Sequence, residues 1–435
     1  MKRYQTYKPS GIEWLGEIPE DWEVRRLKDI SIVATGSRNT EDKLDDGKYP
    51  FFVRSQTVEY IDTYSFNGEA ILTAGDGVGV AKVFHHYIGK FETHQRVYRI
   101  SNFPKCNGRF LFYFLMENVY KEVLKFNVKS TVDSLRMPMF LQFPVLLPTK
   151  SAQTAIANYL DTKTAAIDRK IELLTTKANK YKALRRSLIN ETVCRGLPAS
   201  EGFTPSEALI KMKDSGIEWI GMIPEHWEEY RMKDLGFLYS GLSGKAGDDF
   251  NQDENENNCD FIPFTNIFNN ETINPEIMGK VVVFENEKQN KVKKNDLFFL
   301  MSSEDYDGLG KSSLLAVDLI NTYLNSFCKG FRITRKKVLP AFLNYQLQSD
   351  TFRKIMQIEG KGFTRLNLKM EKVNDFTVYI PNTIEEQAAI VKYLNEKNTH
   401  IDTILTNISN QINKLTQLRK TLINDVVTGK IKVTD

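Results

Sequence analysis

The residues best suited to chemistry in this 435-residue chain are basic, hydroxyl and amide side chains in loops between predicted strands. Arg, Lys and Asn can hydrogen-bond base edges, and Ser, Thr and Lys suit phosphates. Any one of them can be an ordinary solvated residue, but their recurrence in both halves of the chain favours nucleic-acid-facing loops. The candidates are Arg54, Ser55, Lys82, Arg96, Lys129 and Thr131 in the first half, and Thr265, Asn266, Ser303, Lys311, Thr364 and Arg365 in the second.

The segments of this sequence that resemble catalytic motifs are incomplete. Gly310-Lys311-Ser312 resembles the end of a phosphate-binding loop, but the first glycine of that motif would fall on Asp305. The glycines at 75–79 lack the spacing of a dinucleotide fingerprint. No Asn/Asp-Pro-Pro-aromatic run of an amino-methylating enzyme is present, and the histidines at 85, 86 and 94 have no acidic or Cys partner at ligand spacing. We therefore expect no catalytic residues and no metal site, and a chain that binds.

Composition indicates an ordinary soluble protein, with 41% hydrophobic and 26% charged residues. No apolar run is long enough to span a membrane, and the polar start predicts no signal peptide. The four cysteines are far apart and are expected to be reduced thiols in a cytoplasmic protein. Residues 196–383 hold more Asp and Glu than Lys and Arg, so any DNA binding there needs a local basic face.

Two long helical stretches, at residues 153–190 and 387–424, must position these loops. In each, seam positions follow at alternating spacings of four and three, which is typical of a coiled coil. Each seam has a polar residue second, Thr164 or Asn398, and an arginine eighth, Arg185 or Arg419. The apolar seam residues include Leu160, Ile167, Ile171, Leu174, Tyr181 and Leu188 in the first stretch, and Leu394, Ile401, Leu405, Ile408, Leu415 and Leu422 in the second.

A single seam cannot bury itself, so we expect the two stretches to pack on each other. About 40 residues would give a rod of ~60 Å that holds two globular segments apart. The alternative is that each helix covers its own domain.

The two halves are duplicated. The run Ser10-Gly11-Ile12-Glu13-Trp14 to Glu23 returns as Ser215-Gly216-Ile217-Glu218-Trp219 to Glu228, and all four tryptophans lie in these runs. The tryptophans at 14 and 22 are expected to be core anchors. Thr383 and Glu386 are predicted to form a reciprocal capping box at the start of the second long helix.

The sequence predicts mixed α/β segments, with strands at 50–53, 96–100, 143–148, 261–264, 281–284, 296–301, 330–333 and 376–381, and helices at 109–126 and 341–355. The predicted domains are a recognition domain at 1–150, a long helix at 151–195, a second recognition domain at 196–383 with a linker at 196–210, and a second long helix at 384–435. The loop at Thr131–Leu135 corresponds to the loop at Thr364–Leu368, counted back from the closing strands.

The duplicated opening and the Pro-x(4,5)-Gln-x(5)-Tyr-Leu entry to each helix resemble those of type I restriction–modification specificity subunits, over nearly the whole chain. The resemblance implies two target-recognition domains, each reading one half of a bipartite, asymmetric double-stranded DNA target. It also implies an α/β fold in which the long helices form an antiparallel coiled coil with pseudo-twofold symmetry.

The same resemblance implies two methyltransferase (modification) subunits docked on the helices, joined by restriction subunits that use ATP. S-adenosylmethionine, ATP and Mg would then belong to those partners, and none to this chain. Rival hypotheses are a specificity subunit of a related fused-nuclease or phage-exclusion system, a coiled-coil adaptor that ignores DNA, and a stand-alone enzyme, which would need a motif that the sequence lacks.

Overall fold

The fold is described from a computed structural model, for residues 2–126, 134–198, 211–250, 255–362 and 365–433. The chain forms two compact units. Unit 1 comprises Met1–Thr176 and Ile408–Asp435, and unit 2 comprises Lys177–Asn407. The division cuts both long helices, so each helix contributes a part to each unit, whereas the sequence-based division set each helix apart as a segment of its own.

The described helices are α1 (Leu27–Ile30), α2 (Gly108–Phe126), α3 (Met137–Leu141), α4 (Lys150–Arg195), α5 (Met232–Leu235), α6 (Phe264–Asn269), α7 (Pro340–Gln348), α8 (Asp350–Glu359), α9 (Met370–Asn374) and α10 (Ile384–Val427). The strands of unit 1 are β1 (Tyr7–Pro9), β2 (Glu17–Pro19), β3 (Glu23–Arg26), β4 (Ile32–Thr35), β5 (Tyr49–Phe52), β6 (Glu59–Ile61), β7 (Phe66–Ala74), β8 (Phe84–Thr93), β9 (Val97–Ser101) and β10 (Pro144–Leu147). The strands of unit 2 are β11 (Met212–Asp214), β12 (Met222–Pro224), β13 (Glu228–Arg231), β14 (Gly236–Ser240), β15 (Asn258–Ile262), β16 (Gly279–Val282), β17 (Leu297–Leu300), β18 (Ser302–Ser303), β19 (Ser312–Leu314), β20 (Thr322–Leu324), β21 (Cys328–Ile333), β22 (Leu366–Asn367) and β23 (Thr377–Ile380).

Unit 1 is built on a sheet in the order β4-β9-β7-β8-β5-β6. Its pairs are antiparallel except β5 with β8. The helix α2 repeats Phe and Leu at helical spacing and buries Phe110 and Phe114 in the core. The strand β10 then returns to pair with β3, which brings the chain to the start of α4.

Unit 2 repeats this plan with its central strand order split between two sheets, β14-β21-β17-β19 and β16-β15-β20. Here too the pairing of β15 with β20 is parallel. The strand β23 pairs with β13 as β10 pairs with β3, and it leads into α10. The duplication seen in the sequence is therefore a duplication of topology.

The two long helices run antiparallel within each unit. In unit 1, Ile156 and Leu160 of α4 share one core with Ile423 and Val427 of α10. In unit 2, late residues of α4 share another core with early residues of α10, such as Leu394. From residue 165 to 188 of α4, every residue that is not exposed is a seam position, as the spacing predicts. The predicted pairing of the two seams on each other is thus found within each unit, and the alternative of separate covering helices is wrong.

The structure explains the arginine at the eighth seam position of each long helix. Arg419 donates from Nε to Asp168 Oδ1 at 2.9 Å in unit 1, and Arg185 forms an ion pair with Asp402 in unit 2. The two pairs are equivalent under the sequence repeat. Each fixes the register of α4 against α10 near one end of the seam.

The tryptophans anchor the units unequally. Trp22 and Trp227 are fully buried, whereas Trp14 is half-buried and Trp219 is exposed. The Nε1 of Trp227 donates to Glu386 Oε1 at 2.9 Å. This contact corrects the predicted capping box: the Thr383 hydroxyl accepts from the Glu386 backbone at 3.2 Å, but the Glu386 carboxylate binds the indole instead of reaching back.

Three predicted elements are wrong in detail. The strand predicted at 281–284 lies two residues earlier, at Gly279–Val282. The helix predicted at 341–355 is two helices, α7 and α8, because Ser349 is extended and its hydroxyl caps α8 by accepting from the Phe352 backbone at 3.4 Å. The strand predicted at 261–264 ends at Ile262, because Pro263 leads directly into α6. Across the described residues, no helix has the length and apolar character needed to span a membrane.

Candidate nucleic-acid interface

Loops from four parts of unit 1 meet at one end of its sheet, where β5, β7 and β9 begin or end. The backbone nitrogen of His94 donates to the Phe52 carbonyl at 3.0 Å, and that of Val97 donates to the His94 carbonyl at 3.0 Å. The backbone nitrogen of Leu135 donates to the Gly75 carbonyl at 2.8 Å. We call this end the unit 1 corner (residues 54–57, 75–83, 94–96 and 134–135).

Unit 2 has the same set of backbone hydrogen bonds. Asn325 donates to the Ile262 carbonyl at 3.1 Å, Cys328 to the Asn325 carbonyl at 3.1 Å, and Leu368 to the Met301 carbonyl at 2.8 Å. We call this end the unit 2 corner (residues 264–269, 301–311, 325–327 and 365–368). The bonds of Leu135 and Leu368 place their loops at equivalent positions, as the sequence predicts. Thr131 and Thr364, like Lys129, lie outside the described residues.

In the unit 1 corner, two of the candidate arginines converge on one carboxylate. Arg54 donates from Nη1 to Asp76 Oδ1 at 2.9 Å, and Arg96 donates from Nη1 to Asp76 Oδ2 at 2.7 Å. Burial opposes ionisation of Asp76, but the hydrogen bonds from Arg54 and Arg96 outweigh it and hold the pKa of Asp76 below its ordinary value. The cluster is therefore fully charged at neutral pH, with one net positive charge.

Two histidines border this cluster. Burial, together with the charges of Arg54 and Arg96, lowers the pKa of His94, and burial lowers the pKa of His85. Both rings are therefore neutral at pH 7. The Nε2 of His85 lies 3.1 Å from the Ser55 carbonyl, so its neutral ring holds that loop, while the Ser55 side chain itself is exposed.

The hairpin loop between β7 and β8 places Lys82 on the surface of the same corner. Val78 on this loop is 91% exposed. A Cβ at Gly79 would come within 2.5 Å of the Arg54 carbonyl oxygen, so only glycine allows the loop to lie this close to Arg54. The first-half candidates within the described residues therefore lie together.

The unit 2 corner carries different chemistry. The Nζ of Lys311 lies 4.0 Å from the centre of the Phe268 ring and donates to the Phe268 carbonyl at 2.9 Å. Arg365 is exposed and lies over the ring of Phe327, which is itself 57% exposed. The backbone hydrogen bonds make Phe327 the counterpart of Arg96. Unit 2 therefore has an aromatic ring at the position where unit 1 has the charged side chain of Arg96.

The sequence model of the family described as "Type I restriction modification DNA specificity domain" matches residues 19–180 and 224–414, which include all of both corners. The chain belongs to the type I specificity-subunit family. Specificity subunits are the DNA-recognition components of type I systems and are generally not catalytic.

Relatives extend over both halves of this specificity subunit. It is 27% identical to the EcoDI specificity subunit of Escherichia coli over 234 residues, a match that spans 52% of this chain and 51% of that protein. It is 24% identical to the MjaVIII specificity subunit of Methanocaldococcus jannaschii, over 96% of this chain and 94% of that protein. A chain from the solved structure entitled "Structural basis underlying complex assembly and conformational transition of the type I R-M system" matches with a TM-score of 0.67 at 11% identity, over 95% of this chain and 99% of that chain. At that identity, the structural match concerns the fold.

Two of the predicted contact residues of the specificity subunit face inward. Asn266 is fully buried, and its Nδ2 donates to the Asn274 and Ile277 carbonyls at 2.8 and 2.7 Å. Ser303 is buried, and its hydroxyl lies 3.3 Å from Asp305 Oδ1. Both side chains organise loops of the unit 2 corner, whereas the neighbouring Thr265 is exposed.

Sequence reasoning missed Asp76 and Phe327. An aspartate and a phenylalanine do not match the rule of basic and amide side chains that selected the candidates. The available signal for Asp76 was its place between two glycines at a hairpin end. Among the described residues, no group of three or more His, Cys, Asp or Glu side chains could hold a metal ion.

Proposed function

We propose that this specificity subunit reads a bipartite, asymmetric DNA target, with one half-site for the corner of each unit. The observation that carries the proposal is that the same backbone hydrogen bonds support both corners, while the side chains they present differ. Unit 1 presents the Arg54–Asp76–Arg96 cluster, and unit 2 presents Phe327 beneath Arg365. Arginines suit guanine edges and phosphates, and an aromatic ring suits a thymine methyl group, so unlike corners select unlike half-sites.

In this proposal, the pair of long helices sets the spacer between the half-sites and docks two modification subunits. Its support is the equivalence of the Arg419–Asp168 and Arg185–Asp402 pairs, because a repeated helix pair offers the same surface twice. The chain catalyses nothing by itself. S-adenosylmethionine, ATP and Mg are used by the modification and restriction subunits.

The target is tested by methylome sequencing of a host with and without the gene, with the partner genes present in both. We expect a split adenine-methylation motif that is lost with the gene. An unchanged methylation pattern would contradict the proposal. A mobility-shift titration of the assembled complex at increasing salt distinguishes a DNA reader from a protein adaptor, because phosphate contacts make affinity fall steeply with salt.

The spacer role is tested by lengthening both helices together. The two ion pairs set α4 and α10 in antiparallel register, so one heptad inserted after Thr176 faces one inserted after Asn410. At about 1.5 Å per residue, the insertion adds ~10 Å, or roughly three base pairs of spacer. The half-sites should stay the same.

The control carries the heptad after Thr176 alone. It leaves the added turns of α4 without a partner seam, so we expect a lower melting temperature and no new spacer. A double insertion that folds like the parent chain and keeps the old spacer would refute the spacer role.

A further inference from the structure

We propose that Asp76 is a positioning residue for base recognition: it holds the guanidinium of Arg96, with Arg54 beside it, to hydrogen-bond a guanine in the half-site of unit 1. The inference rests on the proposed function and assigns that half-site a base. Arg96 is the more exposed of the two arginines, with 57% of its side chain exposed against 42% for Arg54.

The geometry leaves the right donors available. Each oxygen of Asp76 accepts from the Nη1 of one arginine, and within the described residues neither guanidinium has another hydrogen-bond partner. A guanidinium carries donors on all three of its nitrogens, so the remaining edge of Arg96 keeps donors for a base. Guanine presents two neighbouring acceptors, O6 and N7, in the major groove. Because the carboxylate fixes the arginine before DNA arrives, less side-chain freedom is lost on binding.

The backbone holds the three residues in place. The Gly75 nitrogen donates to the Arg96 carbonyl at 2.9 Å, which ties the β8–β9 loop to the β7 end. Gly79 packs against the Arg54 carbonyl, and Asp76 forms an isolated bridge with Ser134. The carboxylate and both arginines therefore start from fixed positions on three separate segments.

The charge of Asp76 argues for base reading over phosphate binding. Two arginines without a carboxylate would attract the phosphates of any sequence. A carboxylate that is 24% exposed reduces this attraction and repels a phosphate placed against the cluster. Removing the charge should therefore raise non-specific affinity while it weakens base selection. If Asp76 served only as a structural salt bridge, removing its charge would destabilise the corner, and the affinity for all DNA would fall.

The described residues of unit 2 hold no equivalent of this cluster at the corresponding positions. The backbone register places Phe264, Ser302 and Phe327 of unit 2 where unit 1 has Arg54, Asp76 and Arg96. A variant at Asp76 should therefore change one half-site, and the other half-site serves as an internal control.

The experiment selects bound sequences from randomised DNA duplexes with the full chain assembled with its modification subunits. Asp76→Asn should lower the guanine preference at one position of one half-site from roughly 10–100-fold to less than about threefold. It should also raise affinity for an unrelated duplex by about threefold at low salt. Arg96→Gln should shift the same position from guanine towards adenine, and it carries the test if Asp76→Asn does not fold.

The matched control is Asp29→Asn. Asp29 also forms an ion pair with an arginine, Arg26, at 2.9 Å. It lies in α1, just before Ile32, which starts β4 and pairs with Ser101 at the end of the sheet opposite to the unit 1 corner. This substitution should leave the motif unchanged.

If Asp76→Asn and Arg96→Gln both leave the wild-type motif intact, that result overturns this inference alone. A uniform loss of binding to all duplexes with Asp76→Asn would also overturn it, in favour of a structural salt bridge. A wild-type complex that selects no split motif would overturn the proposed function first.

Discussion

A buried glutamine lies in the first turn of each long helix, and substituting it tests how the units hold the helices. Gln387 is fully buried and joins three backbone groups: Oε1 accepts from the Leu339 nitrogen at 2.7 Å, and Nε2 donates to the Lys337 and Pro381 carbonyls at 2.9 and 3.0 Å. Replacing it with methionine keeps the length of the side chain and removes all three bonds. Since each bond is worth about 1 kcal/mol net, Gln387→Met should lower the free energy of unfolding by about 3 kcal/mol.

The duplication supplies the comparison. Gln153 is equally buried, but it makes two such bonds, accepting from the Asn107 nitrogen at 2.7 Å and donating to the Pro148 carbonyl at 2.8 Å. Gln153→Met should therefore cost about 2 kcal/mol. For units of this size, 1 kcal/mol corresponds to roughly 2–4 °C, so the expected losses in melting temperature are roughly 6–12 °C for Gln387→Met and 4–8 °C for Gln153→Met.

Differential scanning calorimetry of the full chain measures both losses as shifts in melting temperature, because a chain of two units can unfold in more than one step. Gln411→Met, at an exposed position of α10, is the control and should change stability by less than about 0.5 kcal/mol. If Gln387→Met lowers the melting temperature no more than Gln411→Met, the buried glutamines do not hold the helix starts, and the reasoning fails.

Further predictions concern buried charge and thiols. Asp296 is buried and accepts two hydrogen bonds from Arg332, so Asp296→Asn should destabilise unit 2 by about 3–5 kcal/mol, whereas Asp318→Asn, at an exposed pair, should have little effect in the same melting experiment. Burial raises the pKa of Cys106 to about 12, and Cys194 and Cys328 are also buried. A thiol reagent at pH 7.5 should therefore label the partly exposed Cys259 first, and fast labelling that persists in Cys259→Ser would contradict this.

The long helices could be predicted because their signal is local and repeated. Spacings of four and three over many turns define the seam, and from residue 165 to 188 of α4 the seam residues are the shielded ones in the structure. The ends were predicted unequally: α4 (Lys150–Arg195) agrees within one residue with the predicted 151–195, whereas α10 begins at the predicted 384 but ends at Val427 and not at 435. The break at Ser349 was missed because a serine inside an apolar helical pattern can also be tolerated without a cap.

The candidate site could be predicted only as a set of loops. Residue type cannot show whether a polar side chain faces solvent, because its partners lie elsewhere in the chain. Asn266 is an example: the carbonyls of Asn274 and Ile277 hold its amide inside the loop. Asp76 is the opposite case, since its importance comes from two arginines that lie about twenty residues away on either side.

The corners are held by main-chain atoms. The donors at His94, Leu135, Asn325 and Leu368 are peptide nitrogens, and the acceptors are peptide oxygens. These bonds do not use the exposed side chains beside them, such as those of Arg96 and Phe327, so those side chains can change while the bonds remain. In the proposed function, a new recognition sequence therefore needs only a few substitutions at exposed corner positions, at little cost to folding, which favours rapid divergence of targets among related strains.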